Sequence, residues 1–197
     1  MKQKTQAHVF YMKLPSDYSK IDVLPKLRQK DIDEVSNVDV KKEKTYVWLL
    51  LLYGINKIFG YTESDIKFTK TENGKWLCDK CYFSLSHRKD YVCVGISSSN
   101  IGVDIEKNET TVKNLLSKIS TKEESEIYND QTVIELWSCK ESVFKLLNEK
   151  RFNPKSINTL DFNTRVSKIE DDNIISVATI ENVDLIVNKI ENYKDVL

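Results

Sequence analysis

No apolar run in this sequence approaches the 18 or so residues that a membrane-spanning helix requires. The stretch Val47-Trp48-Leu49-Leu50-Leu51-Leu52-Tyr53 is seven residues long, and no membrane association is expected. Excess charge of either sign is also missing: 30 basic residues meet 30 acidic ones. Nothing general steers a polyanion to the chain, so a nucleic-acid partner is not indicated and any phosphate binding has to be local. The N-terminus has no apolar core behind its lysines and no small-residue cleavage site, so no secretory signal is expected. Histidine is scarce, with only His8 and His87. Four cysteines are ordinary for a reduced cytosolic protein, and a cytoplasmic location is the default expectation. Cys78 and Cys81 make one C-x-x-C. Structural zinc would need two further ligands at matching spacing, whereas Cys93 falls in an expected strand and Cys139 in an expected helix. The pair is therefore read as two thiols in a connecting segment. There is no low-complexity linker and no repeat.

At 197 residues, with nine Tyr, seven Phe and three Trp, the chain has enough bulk for a sizeable core in one domain or two small ones. Two strong helices stand out. In 41–59, Val47, Leu50, Leu51, Ile55 and Ile58 recur at spacings of three and four and Gly60 follows as a stop. Leu49 and Leu52 widen that band, as for a helix buried between layers, and Gly54 within it points to a close contact. The second helix covers 131–149, ended by Asn153-Pro154. Short helical segments are expected in 20–39 and 111–128, with Thr121-Lys122-Glu123-Glu124 resembling a capping box. Strands are expected at 8–12, 65–70, 83–87, 91–97, 101–106, 160–166, 174–180 and 184–189. Asn73-Gly74 predicts a tight turn that carries Lys75. The three central strands are expected to form an antiparallel meander. Residues 1–6 and the last eight are polar enough to fray.

The most informative stretch is Ile101-Gly102-Val103-Asp104-Ile105-Glu106-Lys107. Read as a strand, it puts Ile101, Val103 and Ile105 on one face and Gly102, Asp104 and Glu106 on the other. The two carboxylates then lie about 6.5–7 Å apart along the strand, and Gly102 leaves room for a close approach to the backbone. A helix offers Trp137-Ser138-Cys139-Lys140-Glu141-Ser142-Val143-Phe144-Lys145. Around it, Ile134 lies about 20° from Glu141, Trp137 and Lys145 about 40°, and Phe144 about 60°. Glu141 is thus set in an apolar stripe, where a carboxylate is costly unless paired or metal-bound. Taken separately, these groups read plainly as a helix salt bridge from Glu141 to Lys145 and the solvated face of an amphipathic strand. If Glu141 approaches Asp104 and Glu106, however, three carboxylates crowd together. Two anions at about 4 Å repel by about 4 kcal/mol at an effective dielectric near 20, which calls for protonation or a cation. Few hard oxygen ligands suit magnesium completed by phosphate oxygens, with Lys145 and His87 on the phosphate side.

These motifs resemble those of the Sfp-type 4'-phosphopantetheinyl transferases, the surfactin-synthetase-activator type. That family has a (G)-[IV]-D-[IV]-E strand and, about thirty residues later, a W-[ST]-x-K-E-[AS]-x-x-K helix. Here Gly102-Val103-Asp104-Ile105-Glu106 and Trp137 to Lys145 match them. Upstream, Gly74-Lys75 and Phe83-Ser84-Leu85-Ser86-His87 match the family's Gly-Lys turn and F-[NS]-[IL]-S-H strand end. The match is good over 41–145 and loose at the ends. The resemblance implies an α/β (α+β) pseudo-dimer of two similar halves, 1–101 and 102–197. Each would pack a small, mainly antiparallel sheet with a long helix, with the active site between them, in a monomer. It implies Mg-dependent transfer of the phosphopantetheine arm of coenzyme A to a serine of an apo carrier protein (acyl, peptidyl or aryl), with release of 3',5'-adenosine bisphosphate. Asp104, Glu106 and Glu141 would hold Mg2+. Glu141 and Lys145 would be catalytic, and Lys75, Ser86, His87 and Lys145 would contact coenzyme A.

The sequence departs from the family after the helix. A Gly-Lys-Gly-type turn is replaced by Leu147-Asn148-Glu149-Lys150-Arg151-Phe152-Asn153-Pro154, so carrier docking there is expected to differ. The residues gripping the 3'-phosphate do not align; Lys26, Arg28 and Lys30, otherwise a solvated face, are the candidates. Two other readings remain. A non-catalytic module that binds coenzyme A or a carrier protein would use the acidic residues as scaffold. A metal-dependent nuclease fits less well, because such sites want E-x-K on a strand and a basic excess.

Overall fold

A computed structural model describes residues 5–16, 24–109 and 113–197. The expected frayed start at 1–4, the first residues of the 20–39 stretch and residues 111–112 of the 111–128 stretch lie outside them. The chain runs β1 (Gln6–Lys13), α1 (Lys26–Asp33), α2 (Val38–Phe59), β2 (Phe68–Lys70), β3 (Trp76–Cys78), β4 (Tyr82–Arg88), β5 (Tyr91–Ser97) and β6 (Ile101–Lys107). It continues through α3 (Leu115–Ile119), α4 (Val133–Leu147), β7 (Asn163–Lys168), β8 (Asn173–Thr179) and β9 (Asp184–Ile190). The class is mixed α/β with small, mainly antiparallel sheets, as expected.

Four layers stack as helix, sheet, sheet, helix. The first sheet has the order β4-β5-β1-β9, antiparallel except where β9 lies parallel to β1. Phe10, Met12, Val92, Val94 and Ile96 on one of its faces pack beneath α2. Ala7, Val9, Tyr11 and Cys93 on the other face meet Ile101, Val103, Ile105, Ile175 and Val177 of the second sheet. That sheet has the order β6-β8-β7, and α4 covers its far side, where Val143 and Leu146 cluster with Ala178 of β8. Strand β5 is buried along its whole length because it has sheet neighbours at both edges and layers on both faces.

Helix α2 begins earlier than its apolar pattern suggested. The Asn37 side chain accepts the N–H groups of Asp39 (2.8 Å) and Val40 (3.1 Å), a cap that recruits one further turn. Gly60 stops the helix at φ 73°. Gly54 does mark a close contact: a Cβ there would stand 2.5 Å from Ile96 Cδ1 and 2.9 Å from Phe10 Cδ2. The hairpin β2–β3 turns at Asn73-Gly74 as expected. Its first strand is shorter than 65–70, because Asp65 Oδ2 accepts the N–H (2.8 Å) and hydroxyl (2.6 Å) of Thr62 and closes a single helical turn instead.

Three expectations are corrected. Strands β4 and β5 pair, but β6 does not continue the meander. Both edges of β5 are taken, by β4 and β1, so β6 folds over the face of the first sheet and pairs with β8. The sheets touch closely there, since a Cβ on Gly95 would lie 2.3 Å from Val103 Cγ1. Gln6 does not fray; it pairs with Asp184 in β1. The last residues do not fray either. A turn at Tyr193–Val196 buries Val196 and sets Tyr193 edge-on to Tyr46 at 5.9 Å, because two apolar residues three apart fall on one side of that turn.

Candidate active site

The site forms where α4 crosses β6. Gly102 makes the crossing possible, since a Cβ there would lie 1.9 Å from Ser142 O and 2.7 Å from Leu146 N. Any other residue would hold the helix away from the strand. The polar face of β6 is therefore roofed by α4, and Asp104 is buried at 3 % exposure. Its Oδ1 accepts from Lys145 Nζ at 2.8 Å and from Ser86 Oγ at 2.9 Å. Lys145 Nζ also stands 2.8 Å from Ser86 Oγ. Asp104 Oδ2 accepts from Ser138 Oγ at 2.9 Å, and behind it Ser176 Oγ lies 2.8 Å from Ser138 Oγ and donates to Ser138 O at 2.7 Å.

The structure thus brings Asp104, Lys145 and Ser86 together, and Glu141 and Glu106 lie close enough to act on them electrostatically. Burial, reinforced by the Asp104 and Glu106 charges and opposed by Lys145, pushes Glu141 up to about 7. Burial and Asp104 also raise Glu106, against the ion pair it makes with Arg88 and the hydrogen bond from the Trp137 indole. Lys145 behaves oppositely. Burial disfavours its charge, yet Asp104 and Glu141 hold its pKa above the ordinary value. The region carries more negative charge than its two cations neutralise comfortably.

Lys75 and His87 stand further out. Lys75 is no simple exposed turn residue: its Nζ donates to Lys145 O at 2.7 Å near the end of α4, and burial lowers its pKa. His87 Nδ1 lies 2.8 Å from Glu43 Oε2 of α2. Burial, then Lys145, Arg28 and Lys44, push the ring down to about 4, so it is neutral at physiological pH. Of the three phosphate candidates on α1, Lys26 and Lys30 are exposed. Arg28 is not on a solvated face. Its guanidinium is buried 4.9 Å from the Trp48 ring and 5.9 Å from the Trp76 ring, and it bonds Lys44 O at 2.6 Å and Asp31 at 3.0 Å. A structural arginine results, because its carbonyl and carboxylate partners and its aromatic walls are internal.

Sequence reasoning missed Arg88, Ser138, Ser176 and Glu43. Ser138 sits inside the helix motif and Arg88 directly follows His87, so both had a positional signal. Ser176 and Glu43 had none, because their roles depend on sheet pairing and layer packing. A cavity of about 310 Å³ opens beside the site, lined by Lys75, Trp76, Phe83, Leu85, Phe144 and Lys145 among others.

The donor set of three carboxylates with adjacent hydroxyls suits a hard divalent cation, and the raised Glu141 and Glu106 mark charge that such an ion would relieve. The arrangement itself is not yet a ligand cage. Among the described residues no group of three His, Cys, Asp or Glu side chains stands in metal-binding geometry, and Lys145 and Arg88 hold oxygens of Asp104 and Glu106.

Residues 100–190, which include β6, α4 and the serines behind Asp104, match the family model described as the 4'-phosphopantetheinyl transferase superfamily. Over these residues the chain is similar to the 4'-phosphopantetheinyl transferase superfamily. A curated relative, "4'-phosphopantetheinyl transferase gsp" of Aneurinibacillus migulanus, is 28 % identical over 154 residues, covering 74 % of this chain and 63 % of that protein. The chain therefore spans less than two thirds of the length of that relative. The matched residues contain Asp104, Glu106, Glu141 and Lys145, whereas Lys75, Ser86 and His87 lie upstream of them.

Proposed function

We propose that the protein moves the 4'-phosphopantetheine arm of coenzyme A to a serine hydroxyl of an apo acyl, peptidyl or aryl carrier protein. The observation that carries this reading is the buried Asp104 bonded to Lys145 and Ser86 beside a cavity with Lys75 and Lys145 on its wall, next to Glu141, whose pKa burial and the Asp104 and Glu106 charges push up to about 7. Phosphoryl transfer needs positioning and charge neutralisation more than a covalent intermediate. The serine oxygen forms a bond to the phosphorus next to the pantetheine. The anhydride oxygen on the adenosine side leaves with 3',5'-adenosine bisphosphate. A carboxylate with its pKa near 7 is suited to take the hydroxyl proton, which gives Glu141 that role, directly or through water. Lys145 neutralises the pyrophosphate and supplies a proton to the leaving oxygen. Lys75, Ser86 and His87 contact phosphates of coenzyme A, His87 as a neutral hydrogen-bonding ring.

Asp104, Glu106 and Glu141 would hold Mg2+, whose chemistry there is to neutralise developing charge on the pyrophosphate oxygens. For that, Lys145 and Arg88 have to exchange their present carboxylate partners for phosphate oxygens. The two halves are assigned as 1–101 and 102–197, a pseudo-dimer in which β9 crosses back to the first sheet. The reading is of a cytoplasmic monomer without a nucleic-acid or membrane partner. One observation favours the second reading, a non-catalytic module for coenzyme A or carrier protein: Lys145 and Arg88 are already paired with Asp104 and Glu106.

Incubation with coenzyme A, Mg2+ and a panel of apo carrier proteins separates the two. A mass gain of one phosphopantetheine on a carrier is expected. Chelation should abolish it, and Asp104→Ala or Glu141→Ala should lower it by a factor on the order of 100 or more. Coenzyme A binding with no carrier modified across the panel selects the module instead.

A further inference from the structure

The C-x-x-C plays no part in the site described above, yet its geometry is more specific than two thiols in a connecting segment. Cys78 is the last residue of β3 and Cys81 directly precedes β4, so Asp79 and Lys80 turn the chain and bring the sulfurs together. Their Sγ atoms lie 3.4 Å apart, and the Cys81 N–H points at Cys78 Sγ at 3.3 Å. The two thiols are not equivalent. Cys78 is half-buried and Cys81 is buried at 7 % exposure. Both line a cavity of about 290 Å³ that is also bordered by Lys75, Lys80 and Asn100, so a small molecule can approach the sulfurs. The remaining cysteines, Cys93 and Cys139, are fully buried, and burial raises both. Among the described residues no third His, Cys, Asp or Glu completes a metal site with the pair.

We propose that Cys78 and Cys81 are a redox-active dithiol that is oxidised to an intramolecular disulfide by small-molecule disulfides. Cys78 attacks first. As a thiolate it forms a bond to one sulfur of R–S–S–R, and the other sulfur leaves as R–S⁻, which takes up the proton that Cys78 gave to solvent. The Cys81 thiol then loses its proton and attacks the Cys78 sulfur. That step closes the protein disulfide and releases the second R–S⁻, which is protonated in turn. The protein loses two electrons and two protons, and the external disulfide becomes two thiols. The order follows from the microenvironment. The Cys81 hydrogen bond and the Lys80 and Cys81 backbone N–H groups outweigh burial and Asp79 and hold Cys78 below the ordinary thiol value, while the same contact pushes Cys81 up. The more exposed sulfur, Cys78, is therefore the attacking group and the buried Cys81 the resolving one.

The test uses the full-length protein equilibrated with glutathione disulfide, acid-quenched, alkylated and mapped by mass spectrometry. The expected product is a Cys78–Cys81 linkage that reverses with reduced glutathione, with Cys93 and Cys139 unmodified while the protein is folded. Cys81→Ser should trap one glutathione on residue 78, and Cys78→Ser should yield neither product. Alkylation at pH 7 should be roughly tenfold or more faster at Cys78 than at Cys81. Folding of both variants is checked by circular dichroism, and the wild-type mapping stands if either fails. Absence of the linkage in the wild type overturns the proposal, and so does preferential modification of Cys93 or Cys139. Stoichiometric zinc that protects both thiols from alkylation in the purified protein overturns it as well.

Discussion

Two lysines five residues apart on α4 meet acids in opposite ways. Lys140 and Glu124 are both fully buried, with Nζ 2.6 Å from Glu124 Oε2. Lys140 Nζ also donates to Ile157 O. Glu124 Oε1 accepts from the N–H and hydroxyl of Thr159, each at 2.8 Å, and Oε2 from Thr121 N at 2.8 Å. Each partner of this pair is held by several internal contacts. Lys145, by contrast, keeps 25 % of its side chain in contact with solvent and serves Asp104 beside two further carboxylates. Among the described residues no hydrogen bond offsets the burial of Glu141. A saturated pair fixes loops 121–124 and 157–159 to the helix. The open cluster has unmet charge, which is where a ligand gains most by arriving.

Breaking the saturated pair should have the largest effect. Lys140→Met keeps the volume and leaves Glu124 buried without its cation, which should cost about 3–5 kcal/mol in urea unfolding. A change under about 1 kcal/mol would show that the pair is dispensable. Gly102→Ala attacks the open cluster through its scaffold. The new Cβ meets backbone atoms of α4 rather than a movable side chain, and overpacking of this kind costs about 1–3 kcal/mol, occasionally more. Because the helix then lifts from β6, transfer activity should fall far more than stability. Full activity would mean that the crossing does not position the reacting groups.

The comparison sharpens in the pH dependence of stability, measured without divalent cations. The Glu124 pKa is lowered, since Lys140 and the Thr121 and Thr159 donors outweigh burial. Its contribution is present above the ordinary carboxylate value and is lost as pH falls. Glu141 is raised from 4.5 to about 7. The folded state then binds the extra proton, so stability declines as pH rises through that window. Glu141→Gln should flatten the decline, and Glu124→Gln should weaken the acid-side dependence instead. Matching profiles for the two variants would erase the distinction. The smallest effect is expected for Ser176→Ala, which removes the hydroxyl behind Ser138. It should cost about 1 kcal/mol and loosen Asp104 without removing its cation.

Much of the frame was readable because it is local. The 3.6-residue recurrence of Val47, Leu50, Leu51 and Ile55 marks α2, Asn73-Gly74 marks its hairpin, and Thr121 with Glu124 marks a cap that does form, through Thr121 N to Glu124 Oε2 at 2.8 Å and Glu124 N to Thr121 Oγ1 at 3.3 Å. The alternation of β6 and the order of Glu141 and Lys145 on α4 were equally plain. What failed was long-range. The pairing partner of β6 depended on which strands had already filled the edges of β5, and the docking of Tyr193 and Val196 depended on a surface of α2. The burial of Arg28 depended on two tryptophans from different elements.

Residue spacing by itself determined which side chains share a face, because helix and strand periodicity is a property of a few consecutive residues. It therefore placed Asp104 with Glu106, and Glu141 with Lys145. Only the tertiary structure decided that these two faces meet, that Lys145 rather than Glu141 bonds Asp104, and that Arg88 engages Glu106. Those outcomes depend on the separation of two packed backbones, and that separation is set at Gly102 by contact with a helix some forty residues away.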